Sequence, residues 1–354
     1  MTEMTPRQRV LAAVNRQEPD RTPKTASFTP AIMERFRRET GAQSPTEYFG
    51  MEPRGIGFVR TQAKTDFRRF FPKELPANAT FDEYGRTRVP GTYYHFTKVE
   101  YPMAEFTKVS QLESYPWPDM EADYRHAHLE DGVKRLRDAG YFVHGGVAHI
   151  FEIAWQLRGM DRLFMDFGEN PDFAAFLLDR ITSHRRFMAV RYAQAGCDMI
   201  HCGDDVGMQD RMMMSPAMWR QWFKPRWKQV WDAAREVNPD IHIFYHSDGY
   251  IEPIIGELIE IGLTVLNPVQ PECMDPAKLK AQYGDRLAFW GTIGTQTTMP
   301  FGSPEEVRET IRQRIETVGK GGGLLLAPTH VLEPEVPWEN ILAFFDAIEK
   351  HGKH

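Results

Sequence analysis

Cysteine is scarce in this chain of 354 residues: there are three, an odd number. A disulfide framework is therefore not expected, and a reducing, cytoplasmic compartment is. Long apolar runs are also missing. Stretches such as "GGGLLLAP" fall far short of the roughly 20 residues that a membrane span needs, so no membrane association is expected. Positive charge is in deficit. A formal net charge of -6 leaves no basic footprint for nucleic acid. The start, "MTEMTPRQRVLAAVNRQ", carries charges inside its apolar stretch and no small-residue cleavage site, so it reads as an amphipathic helix rather than a signal peptide. No G-x-G-x-x-G follows any candidate strand, which speaks against a dinucleotide-binding open sheet. Neither a low-complexity segment nor a long linker interrupts the chain.

What is present is an ordinary globular composition, 42% hydrophobic and 26% charged. Methionine is abundant, with 17 residues, five of them in "MQDRMMMSPAMW". That run reads either as loop and helix packing or as an adaptable apolar surface for a ligand or partner, with Met208 a candidate substrate contact.

Short apolar runs alternate with helical patterns. The runs are "RTPKTASFTP" (21–30), "RGIGFVRTQ" (54–62), "GYFVHGGVAH" (140–149), "CDMIHCGDD" (197–205), "IHIFYHSDG" (241–249), "LTVLNPVQ" (263–270), "RLAFWGTIGTQ" (286–296) and "GGGLLLAPTH" (321–330). The last six each feed a helix, which implies parallel strands buried on both faces. Eight such units make one (β/α)8 TIM-type barrel over residues 1–354, with a doubly wound open sheet as the competitor. Residues 63–106 break the alternation. "DEYGRTRV" reads as a tight antiparallel hairpin and "GTYYHFTKVEYP" as a strand beside it, an insertion after the second strand lying over one mouth of the barrel. Its aromatics either wall a pocket or form a small core of their own. Ser215, Asp275 and Ser303 each precede a proline and mark helix starts, and Trp219, Trp222, Phe223 and Trp227 fall at helical spacing.

In a parallel barrel the chemistry sits at the C-terminal strand ends. Those positions hold His144, His149 and Glu152; Cys202, Asp204 and Asp205; His246, Ser247 and Asp248; Asn267, Gln270, Glu272 and Cys273; Thr292, Thr295 and Gln296; then His330, Glu333 and Glu335. His246 and Asp248 are two apart, so a strand continuing to Asp248 points both into the mouth. With His330 they suit a divalent metal such as zinc, leaving one position open, and Glu152 or Cys273 could add a ligand. The same residues also suit acid/base work without metal. Asp204 and Asp205 stand side by side, a way to raise one carboxyl, and His246 and His330 could move protons. A third reading is a set of structural polar caps. Glu152, Tyr245, Gln296, Met208 and Phe28 are the candidate substrate contacts, and Cys197 and Cys202 read as buried strand residues.

Several stretches together resemble the uroporphyrinogen decarboxylase superfamily: "TPRQRVLAAVNRQEPDRTP", "FEIAWQLRGMDRLFMDF", "GDDVGMQDRMMMSPAMWRQWFKPRWKQV", "YHSDGYIEPIIGELIEIGLTVLNPVQ", "GTIGTQTTMPFGSPEEV" and "APTHVLEPEVPWENI". The resemblance spans nearly the whole chain outside the insertion. It implies a distorted (β/α)8 barrel with its active cleft at the C-terminal mouth. The porphyrinogen decarboxylases of that superfamily carry "R-Q-A-G-R" at the end of the first strand, and here the matching stretch is "KTASFTPAIMERF". Lys24 alone does not supply the cation cluster that a polycarboxylate needs. The other branch, the corrinoid-dependent methyltransferases, includes enzymes that bind zinc through H-x-C and a later cysteine. His246 matches that histidine, Asp248 stands where the first cysteine would be, and His330 where the later one would be. The harder ligand set implies an oxygen or nitrogen leaving group rather than a thiol nucleophile. The expectation is a demethylating methyltransferase acting on a methoxylated aromatic or other small methylated compound. Its methyl group would go to the cob(I)alamin of a partner corrinoid protein. Phe67, Phe70, Phe71, Tyr93 and Tyr94 and the methionine run would wall the pocket or receive the corrinoid. A decarboxylase or lyase working without metal is the alternative, and a homodimer is left open.

Overall fold

The computed structural model describes residues 3–88 and 100–353. Its strands are β1 (Pro53–Ile56), β2 (Thr80–Phe81), β3 (Thr87–Arg88), β4 (Phe142–Ala148), β5 (Met199–Gly203), β6 (His242–His246), β7 (Val265–Asn267), β8 (Ala288–Ile293) and β9 (Leu324–Pro328). Seven of them form one parallel sheet in the order β1-β4-β5-β6-β7-β8-β9. Spatial order follows chain order, as it must when each strand is laid beside the last by a crossover helix. This is the curled α/β architecture of a TIM-type barrel.

The first expected strand is only partly formed. Lys24 bridges Leu326 and Phe28 bridges Leu332, both in parallel. Leu326 N donates to Pro23 O, Thr25 N to Leu326 O, and Glu52 N to Lys24 O on the other side. The segment thus fills the gap between β9 and β1 without a continuous ladder. Pro23 has no N–H to give, which helps to keep the pairing local.

Side-chain parity sorts the strands. Phe142, Met199, Phe244, Val265, Ala288, Trp290, Leu325 and Ala327 point inward and pack with Val10 and Val14. Those two come from the helix Pro6–Val14, which Thr5 and Gln8 start with a capping box. Arg7 N bonds Gly140 O just before β4, so this helix closes the N-terminal end of the barrel. Outward residues such as Ile200, Ile243 and Tyr245 pack on the helical layer. Ser215, Asp275 and Ser303 each accept hydrogen bonds from the first turn of the helix they precede. The tryptophan stripe falls on two helices, Pro216–Trp222 and Lys224–Val237, with the break at Phe223. Pro225 cannot donate to the preceding turn, so one helix ends and a new one begins. Cys197 and Cys202 are buried.

The hairpin of the insertion is short: Thr80 pairs Arg88 and Phe81 pairs Thr87, antiparallel. Asp82 Oδ1 accepts from the N–H groups of Tyr84 and Arg86, both at 3.0 Å, and holds the turn. Phe67, Phe70 and Phe71 pack with Phe81 and Tyr115 as a small core, and Phe67 also lines a cavity beside it. The strand expected over "GTYYHFTKVEYP", with Tyr93 and Tyr94, falls mostly outside the described residues.

Candidate active site

The ends of β5 and β6 meet closely because Gly203 has no side chain. A Cβ there would come within 2.5 Å of His246 O. Asp204 N then donates to His246 O at 3.0 Å, and the next residue, Asp205, comes beside the imidazole. His246 Nδ1 lies 2.6 Å from Asn267 Oδ1 on β7. Asn267 Nδ2 donates to Trp290 O at 2.7 Å, and a carbonyl can only accept. The amide orientation is thereby fixed, Asn267 Oδ1 is the acceptor, and Nδ1 carries the proton. Nε2 is left facing Asp205 Oδ1 at 3.3 Å and Asp248 Oδ1 at 3.8 Å. Asp248 is anchored in turn, its N–H donating to Asp205 Oδ1 at 2.9 Å.

Burial disfavours a charged His246, but Asp205, Asp248 and Asn267 outweigh it and push the imidazole up to about 10. Asp205 is half-buried, which would raise it, yet its bond to His246 holds it below the usual carboxylate range. Asp248 moves the other way: burial and the like charge of Asp205 raise it, against His246. The site therefore holds an imidazolium–carboxylate pair beside a carboxyl that retains a proton more readily than usual.

Asp204 belongs to a different arrangement. It is fully buried, and its Oδ1 accepts from the N–H groups of Ile150 at 2.8 Å, Phe151 at 2.7 Å and Glu152 at 3.4 Å. Its Oδ2 accepts from Trp227 Nε1 at 2.9 Å. These amides start the helix Phe151–Arg158. Burial pushes the carboxyl up to about 7, while the donors pull it down. Both oxygens are engaged in holding the start of this helix and Trp227, and Asp204 also forms with His149 and Glu152 a second group of donor atoms within 4.8 Å of one another. The helix it caps carries Glu152, whose Oε2 meets His149 Nδ1 at 2.5 Å and accepts from Asp205 N at 3.4 Å.

Three other expected residues stand apart from the His246 cluster. Tyr245 is fully buried, edge-on to Trp227 and Trp231 on the helical side. It alternates with His246, so it cannot share the mouth with it. His330 stands outside the group of donor atoms that Asp205, His246 and Asp248 form within 4.8 Å of one another. It lines an adjoining cleft of 240 Å³ with Asp248, Gln270, Gln296 and Glu335. The loop after β9 carries it there. Cys273 is likewise outside both donor groups among the described residues, its Sγ 3.9 Å from Gln270 Oε1. Of the expected contacts, Gln296 lines the His330 cleft and bonds Gln209, Met208 is exposed, and Phe28 is half-buried against Phe49. Asn267, the residue that fixes His246, lay among the strand-end residues but without a role.

Backbone strain collects at this end. Ala148, Val269 and Thr292 have left-handed φ of 67°, 54° and 73° at or just after strand ends. Non-glycine residues there are uncommon and gather at functional sites.

The donor set fits a divalent ion. Asp205, His246 and Asp248 converge from the ends of β5 and β6, and Asp248 Oδ1 is buried with no hydrogen-bond partner. Ligand atoms about 2.1 Å from a tetrahedral centre lie roughly 3.4 Å apart, close to the Asp205–His246 spacing. Asn267 also supplies the outer bond that orients a ligating histidine. The set is one nitrogen and two oxygens, with no thiolate.

The fold and this cluster define an α/β-barrel protein with a group of polar donor atoms at the C-terminal ends of its strands. The model of the uroporphyrinogen decarboxylase (URO-D) family matches residues 90–351, and the chain belongs to that family. It is similar to the chloroplastic uroporphyrinogen decarboxylase of Zea mays, 25% identical over 59% of this chain and 48% of that protein. It is also similar to the uroporphyrinogen decarboxylase of Psychromonas ingrahamii, 31% identical over 22% of this chain and 21% of that one. The chain thus spans about half or less of the length of these curated relatives. A methyltransferase from Methanosarcina mazei shares the fold, with a TM-score of 0.69 over 98% of this chain and 99% of that one, at 20% identity. No helix among the described residues is long and apolar enough to cross a membrane.

Proposed function

We propose that the chain is a demethylating methyltransferase. It takes a methyl group from an oxygen or nitrogen of a small compound, a methoxylated aromatic foremost, and passes it to the cob(I)alamin of a separate corrinoid protein. One observation carries the reading: His246 Nε2 faces two carboxylates while Nδ1 is locked to Asn267. That edge suits an oxygen on which negative charge develops. As the methyl carbon leaves, the C–O electron pair stays on the oxygen, and a proton held on the cluster neutralises it. Asp205 holds His246 and Asp248 in place, and Glu152 supports Asp205 through its N–H. A divalent ion such as zinc, held by Asp205, His246 and Asp248, would supply Lewis-acid stabilisation of the leaving oxygen. The structurally similar protein from Methanosarcina mazei is named a methyltransferase, in agreement with this reading.

The curated relatives are decarboxylases, which is the second reading. Against it, Lys24 is buried and paired with Glu349, with its backbone N–H on Glu52. The mouth itself is lined by Glu152, Asp205 and Asp248, and a polycarboxylate would meet like charge there. Incubation with cob(I)alamin and a panel of methoxylated and methylated compounds, followed by absorbance, decides. Methylcobalamin formation is expected with at least one donor. Carbon dioxide release from an added acid without it would favour the decarboxylase.

A further inference from the structure

Below the His246 cluster, the barrel lumen contains polar groups that the mechanism does not use. His144 on β4 and His201 on β5 face inward, and their rings stack at 3.8 Å and 9°. The stack continues onto Phe244 of β6 at 3.9 Å and 11°. Trp290 of β8 meets His201 and Phe244 edge-on, at 5.3 and 5.4 Å. The row ends at Gly55 on β1, where a Cβ would press within 3.3 Å of the His144 ring. Four adjacent strands thus build one flat, mostly aromatic wall.

Its nitrogens are not spent on the fold. His144 Nδ1 and His201 Nε2 are buried without a hydrogen-bond partner. Native interiors rarely leave such atoms unpaired, and each calls for an explanation such as a catalytic role or a bound water or ion. Burial holds both rings neutral, His144 at about 4 and His201 well below its usual value. A neutral imidazole donates from one nitrogen and accepts at the other. A hydroxyl does the same, whereas a carboxylate can only accept.

The lumen is open above this wall. His144 and His201 are only half-buried, and Gly146, the next inward residue of β4, is exposed with nothing within 4 Å of a Cβ added there. Gly146 also lines a cavity of about 1010 Å³, together with Ile56, Phe58 and Tyr192. His201 pairs with Phe244 in register, and Phe244 is two residues before His246. Two residues of strand rise about 6.6 Å, roughly the length of one aromatic ring with its substituents.

Building on the demethylating reading, we propose that His144 and His201 form a second polar subsite that takes a phenolic hydroxyl of the substrate ring. The methylated oxygen then lies at Asp205, His246 and Asp248, and the hydroxyl lies on the far side of the ring. The preferred substrate is therefore a methoxyarene that also carries a free hydroxyl.

The test uses His144→Phe and His201→Phe, which keep a flat ring and remove the nitrogens. Phenol, which carries no methyl group, is titrated into the wild type and both variants by calorimetry. KM is then compared for 4-methoxyphenol and anisole. Phenol binding is expected to weaken about tenfold in each variant. KM should rise by a similar factor for 4-methoxyphenol and stay nearly level for anisole. Equal phenol binding in wild type and variants, or none to the wild type, overturns the subsite even if methyl transfer is observed. Phenol binding lost in the variants without methyl transfer to cob(I)alamin keeps the subsite and sinks the demethylating reading. Unfolding midpoints of the two variants confirm that each remains folded.

Discussion

The two ends of the barrel handle charge in opposite ways. At the N-terminal end, cations and carboxylates are matched. Arg9 pairs with Asp20 and Glu52, Arg21 with Glu52 and Glu349, and Lys24 with Glu349. At the C-terminal mouth, Asp205, Asp248 and Glu152 crowd around His246 and His149, and buried atoms such as Asp248 Oδ1 and His201 Nε2 lack partners. One end is satisfied by the chain itself, and the other keeps buried polar atoms without a partner in the chain. Matched charge in a barrel base speaks of stability, and unmatched polar groups at the strand ends speak of chemistry.

That contrast can be broken or sharpened by substitution. His246→Ala at the mouth should lower the methyl-transfer rate by about 10²–10⁴ while the protein stays folded, read by turnover and circular dichroism. Loss of folding with no specific loss of rate would assign His246 to the scaffold. Glu52→Ala at the base should do the reverse. It removes the buried carboxylate that Arg9 and Arg21 share and leaves them Asp20 and Glu349, at a cost of about 1–3 kcal/mol in denaturant unfolding, with the rate per folded molecule unchanged. Asp204→Ala tests the boundary between the two. It lies at the mouth but should behave like the base, losing about 1–3 kcal/mol as the Ile150, Phe151 and Trp227 N–H groups lose their acceptor.

The smallest effect is in pH. Burial depresses His242 to about 4 and His184 to about 3, helped at His184 by neighbouring arginines. The folded protein then binds fewer protons than the unfolded chain. The stability that follows is fully present above about pH 6.5 and is lost as pH falls toward those values, at up to about 1.4 kcal/mol per unit for each histidine. Unfolding midpoints from pH 7 to 5 should fall, and less steeply for His242→Gln than for the wild type. Parallel curves would show that His242 does not contribute.

Much of this was legible beforehand, for reasons the residues make plain. Seven of the eight apolar runs carry a strand of the sheet, because buried parallel strands need near-continuous apolar sequence. The first run, with Pro23 and few apolar residues, makes only bridges. His246 and Asp248 come together although β6 ends at His246, because the turn after it is anchored by Asp248 N on Asp205 Oδ1. Tyr245 faces the other way, as a strand neighbour of His246 must. His330 and Asp204 depend on loop paths, and Asn267 on the register of β6 against β7, none of which is written in one strand. The stack of His144, His201 and Phe244 is likewise a product of register across three strands.

The most direct measurement compares Asp248→Asn with the wild type for the rate of methylcobalamin formation from cob(I)alamin and a methoxylated aromatic. Asparagine keeps the shape and the Asp205-anchored N–H but gives neither a carboxyl proton nor an anionic ligand. The account predicts a rate about 10² lower in a protein of unchanged fold. An equal rate in the two proteins would contradict it and move the chemistry away from the end of β6.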